Sequence, residues 1–378
     1  MLTKVKADTE ALIALRSAIQ KVATGPEYSK DLSLDEAQQA MALILDGRAD
    51  PVQTAVFLIA LRMKRETDDE NIGILRALLE STKTAVAPVD EVVDLADPYD
   101  GYTRGLPASP FLAPVLAACG LAAVSHGLEA VGPKYGITTR KVLRAAGIDV
   151  DRSPEAAAGQ LGEPDIGWAY VDQRTFCPAM HDLVELRSLI VKRPCLTTVE
   201  VLSGPIRGRQ RTHLITGYVH KAYPRVYALL AREAGFDSAA IIRGVEGGII
   251  PSLQQPASVF AYHDRGPEDS TEMDPTSIGI DRTTRAVPLP PDLPPPSQSG
   301  DEIATTVDSD AAARHAAALG LAALRGENGP TYDSLVYGAA ICLHHLGRAD
   351  SLAGAADQAR AALDSGQALA RFEALAKG

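Results

Sequence analysis

The fold is decided by the stretch Leu32–Glu70, which reads LSLDEAQQAMALILDGRADPVQTAVFLIALRMKRETDDE. Ser33 and Glu36 are spaced as a capping box, in which each side chain accepts a hydrogen bond from the backbone amide of the other residue. Asp50 followed by Pro51 is a typical helix start, because proline lacks an amide that the first turn would leave unbonded. The stretch therefore predicts several short helices joined by tight turns.

Apolar residues recur along these helices with an α-helical period. They are Ala37, Met41, Ile44 and Leu45 on the first helix, Val52, Val56, Ile59 and Met63 on the second, and Ile72, Leu75, Leu78 and Leu79 on the third. A second capping box, Thr67 with Glu70, opens the third helix. One apolar side on each helix predicts mutual packing. We expect residues 1–85 to form a helical domain, with helices from about residue 176 to residue 192 packing on it.

From about residue 90, short apolar runs alternate with helical patterns. The predicted strands are Val92–Leu95, Leu121–Val124, Gly167–Val171, Leu196–Leu202, His213–Tyr218, Ala239–Ile242 and Val259–Tyr262. The predicted helices are Phe111–Cys119, Thr139–Ala146, Pro224–Glu233, Ala311–Leu324, Ser334–Leu346 and Ser351–Ser365. This alternation is typical of a mostly parallel sheet flanked by helices. The fold class is therefore α/β, with a small all-helical N-terminal domain and a larger α/β domain over residues 86–378, which contains a Pro-rich loop at about 286–302.

Composition narrows the class of protein. The chain has 378 residues and a net charge of −11, which argues against a strongly basic, nonspecific nucleic-acid binder. A local basic patch stays open, for which Arg207–Arg211 and Arg140–Arg144 are candidates. The four cysteines lie far apart, without metal-type spacing. No run is long enough to span a membrane and no signal-type segment opens the chain, so we expect a cytoplasmic protein.

Several motifs in both predicted domains resemble those of one enzyme superfamily. The helical stretch contains Ala60-Leu61-Arg62 before a basic turn and Glu66-Thr67. Ser125-His126-Gly127, Cys177-Pro178-Ala179-Met180 and Ser203-Gly204-Pro205 follow in order. Over nearly its whole length, the chain resembles the anthranilate phosphoribosyltransferase superfamily, which includes class III nucleoside phosphorylases. The resemblance implies an active site in the cleft between the two domains, and a homodimer formed through the helical domain.

The chain departs from the family where the family binds phosphoribosyl diphosphate and Mg²⁺. The family's Gly-Thr-Gly-Gly-Asp loop wraps a diphosphate with backbone amides, whereas this chain has Asp97-Pro98-Tyr99-Asp100-Gly101. Proline removes one amide, and the two carboxylates would repel a diphosphate. Gly247-Gly248 stands where the family's magnesium-binding Asp-Glu pair would be, which leaves Glu246 as a single acidic residue.

A nonclassical subgroup, the anthranilate phosphoribosyltransferase-related proteins, resembles the chain more closely at these segments. It has a Pro-Ser/Asp-Tyr-Asn/Asp-Gly loop and a Gly-x-Glu-Gly segment, which the stretches Asp97–Gly101 and Gly244–Gly247 resemble here. The resemblance implies a protein related to pentosyl transferases. It also implies that nucleic acid is a conceivable partner, since the subgroup includes nucleic-acid binders.

The resemblance and the positions after strands mark candidate binding residues for a phosphorylated or aromatic ligand. They are Tyr99, Asp100, Gly101, Ser109, His126, Gly127, Lys134, Thr138 and Arg187, with Glu246 as a weak metal candidate. Ligands of α/β sheets bind beyond the carboxyl ends of the strands, so His126 should face the cleft. Lys134 precedes a predicted helix and would hold an anion at its N-terminus. Each residue also has a structural interpretation, as a turn, core or surface residue, and no catalytic residue is assigned.

Three functions stay open at this point. The first is a phosphoribosyl transferase that uses Mg²⁺, and the altered segments count against it. The second is a noncatalytic protein that binds nucleic acid or a nucleotide-like ligand on the same scaffold, although the net charge of −11 counts against nucleic acid. The third is an enzyme with a different substrate in the same cleft. No organic cofactor is expected.

Overall fold

A computed structural model describes residues 8–25, 27–296 and 305–377. The chain begins with four helices, α1 (Thr9–Val22), α2 (Leu34–Leu45), α3 (Pro51–Lys64) and α4 (Asp68–Glu80). Both predicted capping boxes are formed, at the starts of α2 and α4. The predicted Pro-rich loop lies outside the described residues from residue 297 to residue 302.

The larger domain is built on a seven-stranded sheet. A separate two-stranded parallel sheet pairs β1 (Ala85–Val86) with β5 (Ile206–Arg207). The strands of the main sheet are β2 (Glu91–Ala96), β3 (Ala123–Gly127), β4 (Trp168–Asp172), β6 (Arg211–Gly217), β7 (Ser238–Ile242), β8 (Ala257–Tyr262) and β9 (Asp269–Met273). Their order across the sheet is β4-β3-β2-β6-β7-β8-β9. The first five are parallel and the last two antiparallel, which confirms the mostly parallel sheet.

Further helices pack around this sheet. They are α5 (Leu112–Ala118), α6 (Thr139–Ala145), α7 (Pro154–Gly162), α8 (Gln173–Phe176), α9 (Pro178–His181), α10 (Val184–Ile190), α11 (Leu196–Val199), α12 (Tyr223–Glu233), α13 (Ser309–Leu324), α14 (Pro330–His345), α15 (Leu352–Asp364) and α16 (Gln367–Lys377). Of these, α10 packs against α3 and α11 against α4, so the region after β4 joins the N-terminal helices. None of the helices in the described ranges combines the length and apolar character needed to cross a membrane.

Two hydrophobic cores lie on opposite faces of the main sheet, because successive side chains of a strand point to opposite sides. Val93 and Leu95 of β2 pack into the core shared with α5 and the C-terminal helices. Val92 and Ala96 pack into the core that also contains α1–α4 and α12. The helical domain therefore rests directly on one face of the sheet, which brings it beside the loops at the carboxyl ends of the strands.

The predicted strand Leu196–Leu202 is wrong. This segment is the short helix α11 followed by a 3₁₀ turn, Glu200–Leu202. Leu196, Val199 and Leu202 are buried at a spacing of three residues, so they lie along one side of a helical segment. A short apolar run does not distinguish a buried strand from a buried helix, and here packing against α4 decides.

Helix α3 is apolar on two sides, and its predicted stripe lies on the outer one. Its buried residues are Thr54, Phe57, Leu58 and Leu61. The side chains of the predicted stripe include Val52, Val56 and Met63, of which Val52 is 68% and Met63 76% exposed. Helical periodicity identified the apolar character of α3, but it did not determine which side faces the core.

A chain of histidines lies at the amino edge of the parallel strands, away from the cleft. Nδ1 of His213 lies 2.8 Å from the Ser238 hydroxyl, which lies 3.1 Å from Nε2 of His345. The ring of His345 stacks on His263, with the ring centroids 4.5 Å apart. Burial lowers the pKa of His345 to about 3, and the neighbouring histidines act in the same direction.

The stability of the fold should therefore decrease in mild acid. Below pH 6.5, the usual pKa of histidine, the unfolded chain binds a proton at His345 that the folded chain excludes until about pH 3. Each pH unit in that window costs about 1.4 kcal/mol, or about 2 kcal/mol by pH 5. We expect His345→Gln, which retains a partner for Ser238, to reduce this loss in urea unfolding at pH 7 and pH 5.

The matched control is His315→Gln on the exposed side of α13. It should unfold with the same pH dependence as the wild type. An unchanged pH dependence in His345→Gln would contradict the assignment.

Candidate active site in the interdomain cleft

A cleft of about 500 Å³ lies between the helical domain and the carboxyl ends of the central strands. The helical domain contributes residues from α3 and from the segment around α11, and the sheet contributes the loops after β2, β6 and β7. The lining residues are Arg62, Ala96, Pro98, Tyr99, Asp100, Thr103, Arg104, Lys134, Arg193, Pro194, Thr197, Thr198, Val201, Thr216, Gly217, Tyr218, Val219, His220, Tyr223, Tyr227, Glu246 and Gly247. This is the position at which parallel α/β sheets bind ligands.

The structure brings only part of the predicted set to the cleft. The candidates that line it are Tyr99, Asp100, Lys134 and Glu246. Those that lie behind the cleft wall are Gly101, Ser109, His126, Gly127, Thr138 and Arg187, all of which are buried. The hydrogen bonds and ion pairs of these residues define the role of each one.

The loop after β2 is anchored by the buried carboxylate of Asp97. It accepts hydrogen bonds from the hydroxyls of Tyr102 at 2.8 Å and Ser109 at 2.7 Å, and from the amide of Ile249 at 3.2 Å. Burial raises the pKa of Asp97 above its usual value. Ser109 therefore positions Asp97. Gly101 has a φ of 72°, and a Cβ there would meet the carbonyl carbon of Gly136 at 2.7 Å, so this turn requires glycine.

Asp100 forms an ion pair across the cleft. Its Oδ2 accepts from Nε of Arg193 at 2.9 Å and from Nη2 at 2.5 Å, and its Oδ1 lies 3.6 Å from Nζ of Lys134. Lys134 also donates to the carbonyl oxygens of Gly101 at 2.9 Å and Glu246 at 3.3 Å. These contacts tie the helical domain to the loop after β2. As a result, Arg193 and Lys134, two cations of the cleft, are both paired with the carboxylate of Asp100.

Glu246 places its carboxylate on two backbone amides of the opposite loop. It accepts from the amide of Arg104 at 2.8 Å, from the amide of Thr103 at 3.1 Å and from the Thr103 hydroxyl at 3.2 Å. Lys134 lies 3.7 Å from the same carboxylate. Glu246 adopts a φ of 55°, which is unusual for a residue with a side chain. Converging amides are a typical anion site, and in this chain the anion is Glu246 itself.

The expectation that His126 faces the cleft is wrong. Its Nε2 lies 2.7 Å from Asp94 and its Nδ1 lies 2.5 Å from the hydroxyl of Tyr99, so the imidazole sits behind the tyrosine that lines the cleft. If Nε2 donates a hydrogen bond to the Asp94 carboxylate, Nδ1 accepts one from the Tyr99 hydroxyl. Burial raises the pKa of Tyr99 well above its usual value, with the carboxylates of Glu200 and Asp94 acting in the same direction. The chain of three groups fixes the orientation of Tyr99.

Arg187 lies in a buried ion pair away from the cleft lining. Its Nη1 and Nη2 each lie 2.7 Å from an oxygen of Glu200, and both side chains are almost fully buried. This bidentate pair joins α10 to the 3₁₀ turn after α11. The planar guanidinium group of Arg187 is suited to bind the carboxylate of a ligand, but here it binds a carboxylate of the chain.

Thr138 and Lys134 do not form the anion site predicted at the start of α6. The Thr138 side chain caps that helix by accepting from the amide of Lys141, and it donates to the carbonyl of Glu129. Lys134 points instead at Gly101 and Glu246, as described above. Gly127 is buried at the end of β3. Cys177 is buried, and burial raises the pKa of its thiol.

Sequence reasoning missed an aromatic wall of the cleft. Tyr223 and Tyr227 on α12 lie with ring centroids 6.1 Å apart, and His220 lies 6.3 Å from Tyr223. Tyr218, at the end of β6, lines the same cleft. The spacing of Tyr223 and Tyr227 places both on one side of a helix, and this signal was present in the sequence. Arg62 and Arg193 line the side formed by the helical domain.

The acidic groups of this cleft do not fit a magnesium site. The Glu246 carboxylate is bonded to the loop of Thr103 and Arg104, and Asp100 is paired with Arg193. Asp97 is buried and bonded on both oxygens. Within the described part of the chain, no three or more His, Cys, Asp or Glu side chains are grouped so that they could hold a metal ion.

Comparison with known proteins identifies the family. The helical bundle domain of a glycosyl transferase family matches residues 16–82, and the α/β domain of that family matches residues 105–287. Anthranilate phosphoribosyltransferase of Sphingopyxis alaskensis is 31% identical over 344 residues, which cover 91% of this chain and 95% of that protein. The chain belongs to this glycosyl transferase family. It is an anthranilate phosphoribosyltransferase-like member.

Solved structures of the family share the fold. Anthranilate phosphoribosyltransferase from Thermus thermophilus superimposes with a TM-score of 0.72 at 23% identity, covering 97% of this chain and 99% of that one. The Saccharomyces cerevisiae enzyme, in complex with PRPP and Mg, also has a TM-score of 0.72, at 18% identity and with 97% of each chain covered. The helical bundle and the mostly parallel sheet are therefore features of the family fold.

Two arginine variants should separate structural from cleft-lining roles. Arg187→Met leaves Glu200 as an unpaired buried charge, and such losses cost about 3–5 kcal/mol of the free energy of unfolding. Arg193→Gln removes a partly exposed pair with Asp100, which we expect to cost about 1 kcal/mol or less. Urea unfolding measures both. The double variant Arg187→Met with Glu200→Leu should recover most of the loss, and a loss below about 1 kcal/mol in Arg187→Met would contradict the structural role.

Proposed function

We propose that this chain is an anthranilate phosphoribosyltransferase-related protein whose cleft binds an aromatic ligand and does not hold phosphoribosyl diphosphate with Mg²⁺ as its main ligand. The observation that carries the proposal is the carboxylate of Glu246 on the amides of Thr103 and Arg104. A diphosphate approaching these amides would have to displace a tethered carboxylate and would meet Asp100 beside it. Any group transfer in this cleft would therefore use a donor other than the magnesium complex of phosphoribosyl diphosphate.

The side chains of the cleft favour a flat ring as its occupant. Tyr223, Tyr227 and His220 form a continuous aromatic wall. Aromatic rings stack on such walls, and the free energy gained by stacking does not require a charged group on the ligand. Arg62 lies on the opposite side of the cleft and its Nη1 donates to the backbone carbonyl of Arg193, so its position is held before a ligand arrives. In a transferase, these residues would orient an acceptor ring, since positioning supplies much of the rate in such reactions.

A noncatalytic role is the second candidate, in which the same cleft binds nucleic acid or a nucleotide-like ligand. The observation that favours it is the combination of stacking residues with Arg62 and Arg193. Bases stack on aromatic side chains while cations meet the phosphates, which is typical of proteins that bind single strands. Binding of a single-stranded oligonucleotide that weakens steeply with salt would support this role over that of a transferase.

Calorimetric titration of phosphoribosyl diphosphate tests the main proposal. We expect Mg²⁺ to add no heat of binding in the wild type at about millimolar ligand, because the amides of the loop are already bonded. Glu246→Ala exposes these amides and removes a negative charge, so its affinity for the diphosphate should be at least about tenfold higher. Glu373→Ala on the exposed side of α16 removes the same charge far from the cleft and should behave as the wild type.

Micromolar, Mg²⁺-dependent binding to the wild type would contradict the proposal. It would restore the usual donor and leave a phosphoribosyl transferase as the function. If Glu246→Ala and the wild type bind phosphoribosyl diphosphate with equal affinity, Glu246 does not block the access of the diphosphate to these amides.

We also propose a homodimer formed through the helical domain. α1 and α10 both pack against α3, and all three helices carry exposed apolar side chains. These are Leu12 and Ile13 on α1, Val52, Val56 and Met63 on α3, and Leu189 on α10. Clustered apolar side chains on a soluble chain mark an interaction surface. A second copy of the chain would cover them, in agreement with the arrangement that the family resemblance implies.

Light scattering after size exclusion tests the dimer. The wild type should have twice the 39.9 kDa mass of one chain. The variant with Val56→Asp and Met63→Asp should be monomeric, because each substitution buries a charge in the proposed interface. Leu319→Asp, at another exposed apolar position, is the matched control and should stay dimeric. A monomeric wild type would refute the proposal.

A further inference from the structure

A second pocket of about 490 Å³ borders the cleft on the far side of the loop that carries Glu246. The two cavities share Arg104, Tyr218, Val219 and Glu246 in their walls. The second pocket extends past the end of β7 and the start of β8 to the segment Thr284–Pro288. Part of the Gly244–Gly247 motif lines it, but no motif in the sequence predicts a separate pocket there.

Three arginines line this pocket, and their side chains have no partner in the described part of the chain. They are Arg104, Arg243 and Arg285. Among the residues that the structure describes, none forms a side-chain hydrogen bond or an ion pair with these three guanidinium groups. The only acidic residue among the described lining residues is Glu246, whose carboxylate is bonded to backbone amides.

All three arginine side chains are exposed, and other exposed arginines such as Arg16, Arg209, Arg314 and Arg325 also lack a side-chain partner among the described residues, but none of those lines this pocket. The buried and half-buried arginines are bonded to other groups of the chain. Arg140 is bonded to Asp172 and Asp151, Arg187 to Glu200, and Arg193 to Asp100. A chain with a net charge of −11 has enough carboxylates to pair its arginines. Three unpaired arginines in one pocket therefore form a local positive field in an otherwise acidic protein.

The backbone holds the three arginines in place. The amide of Arg104 donates to Glu246, the amide of Arg243 to the carbonyl of Ser258, and the carbonyl of Arg285 accepts from the amide of Leu253. Gly244 packs so tightly that a Cβ there would lie 1.6 Å from the carbonyl oxygen of Gly248. The loops that carry the arginines are thus joined to one another and to the sheet before any ligand binds, which lowers the entropic cost of binding.

We propose that this pocket binds the phosphate group of a small phosphomonoester whose remaining part lies in the adjoining cleft. Guanidinium groups stay charged at all physiological pH values and bind phosphate oxygens in pairs, which suits a doubly charged, tetrahedral group. Tyr218 lies in the walls of both cavities, next to Arg243, and connects the arginine pocket with the aromatic wall. A mononucleotide-like ligand, with a ring and one phosphate, has the required chemistry. The phosphate site depends on the three arginines alone, whereas the placement of the ring rests on the aromatic wall of the proposed function, so the two can fail separately.

Titration with inorganic phosphate, followed by phosphorus NMR, tests the site directly. The wild type should bind phosphate at low salt, and Arg243→Gln and Arg285→Gln should each weaken that binding about fivefold or more, since each removes one charge-assisted contact. Arg314→Gln on the exposed side of α13 removes the same charge outside both cavities and should bind as the wild type does. Thermal unfolding of each variant confirms that the fold is intact. Absence of phosphate binding, or equal binding by all variants, would overturn the site.

A second experiment identifies the source of the phosphate. Adenosine monophosphate should displace inorganic phosphate from the wild type with at least about tenfold higher affinity, because its ring adds contacts in the cleft. This gain should be lost in Tyr223→Ala, whereas binding of inorganic phosphate should not change. Displacement by a single-stranded oligonucleotide alone, with no displacement by the mononucleotide, would overturn the assignment to a small ligand and would assign the arginines to a nucleic-acid backbone.

Discussion

The arrangement of the cleft depends on the buried carboxylate of Asp97. It joins the end of β2 to the hydroxyls of Tyr102 and Ser109 in the segment that follows, and to the amide of Ile249, which is far away in sequence. A buried carboxyl group is stable only when its oxygens are hydrogen-bonded, and here the three donors meet that need. The raised pKa of Asp97 reflects the remaining cost of its burial. This one group sets the distance between the loop after β2 and the loop after β7, and with it the width of the cleft.

The same constraint explains how Glu246 reaches its position. Because Asp97 holds both loops, the amides of Thr103 and Arg104 face the turn that carries Glu246, and its carboxylate bonds to them at the expense of an unusual backbone angle. Two converging backbone amides, a typical anion site, are occupied here by a carboxylate of the chain. Asp100, held by Arg193 and Lys134, adds a second internal ion pair. Among the described residues, four cations and two carboxylates line the cleft, so part of its positive charge is neutralised before any ligand arrives.

The cleft and the pocket next to it differ in their side chains. The cleft presents aromatic rings and the ion pairs of Asp100, whereas the adjoining pocket presents Arg243 and Arg285, with Arg104 lining both; within the described ranges these three arginines have no side-chain partner. Desolvating a paired charge brings little gain, while an unpaired guanidinium group gains most from a phosphate. In our proposal, one cavity recognises a ring and the other recognises an anion.

The sequence by itself determined the helical start, the strand–helix alternation and the family, because capping boxes, helical periodicity and short motifs are local patterns that survive without knowledge of the fold. It also identified Tyr99, Asp100, Lys134 and Glu246 as residues of the cleft, since each is in or beside a motif.

Tertiary structure alone decided the rest. Arg187 and His126 carry the same side chains whether they meet a ligand or the core, and only their partners, Glu200 and Asp94, assign them to the interior. The arginine pocket was invisible for the same reason, because Arg104, Arg243 and Arg285 lie on three separate segments that meet only when the loops pack. Whether a charged side chain is paired depends on which residues lie near it in the folded protein. The spacing of residues along the sequence does not show this.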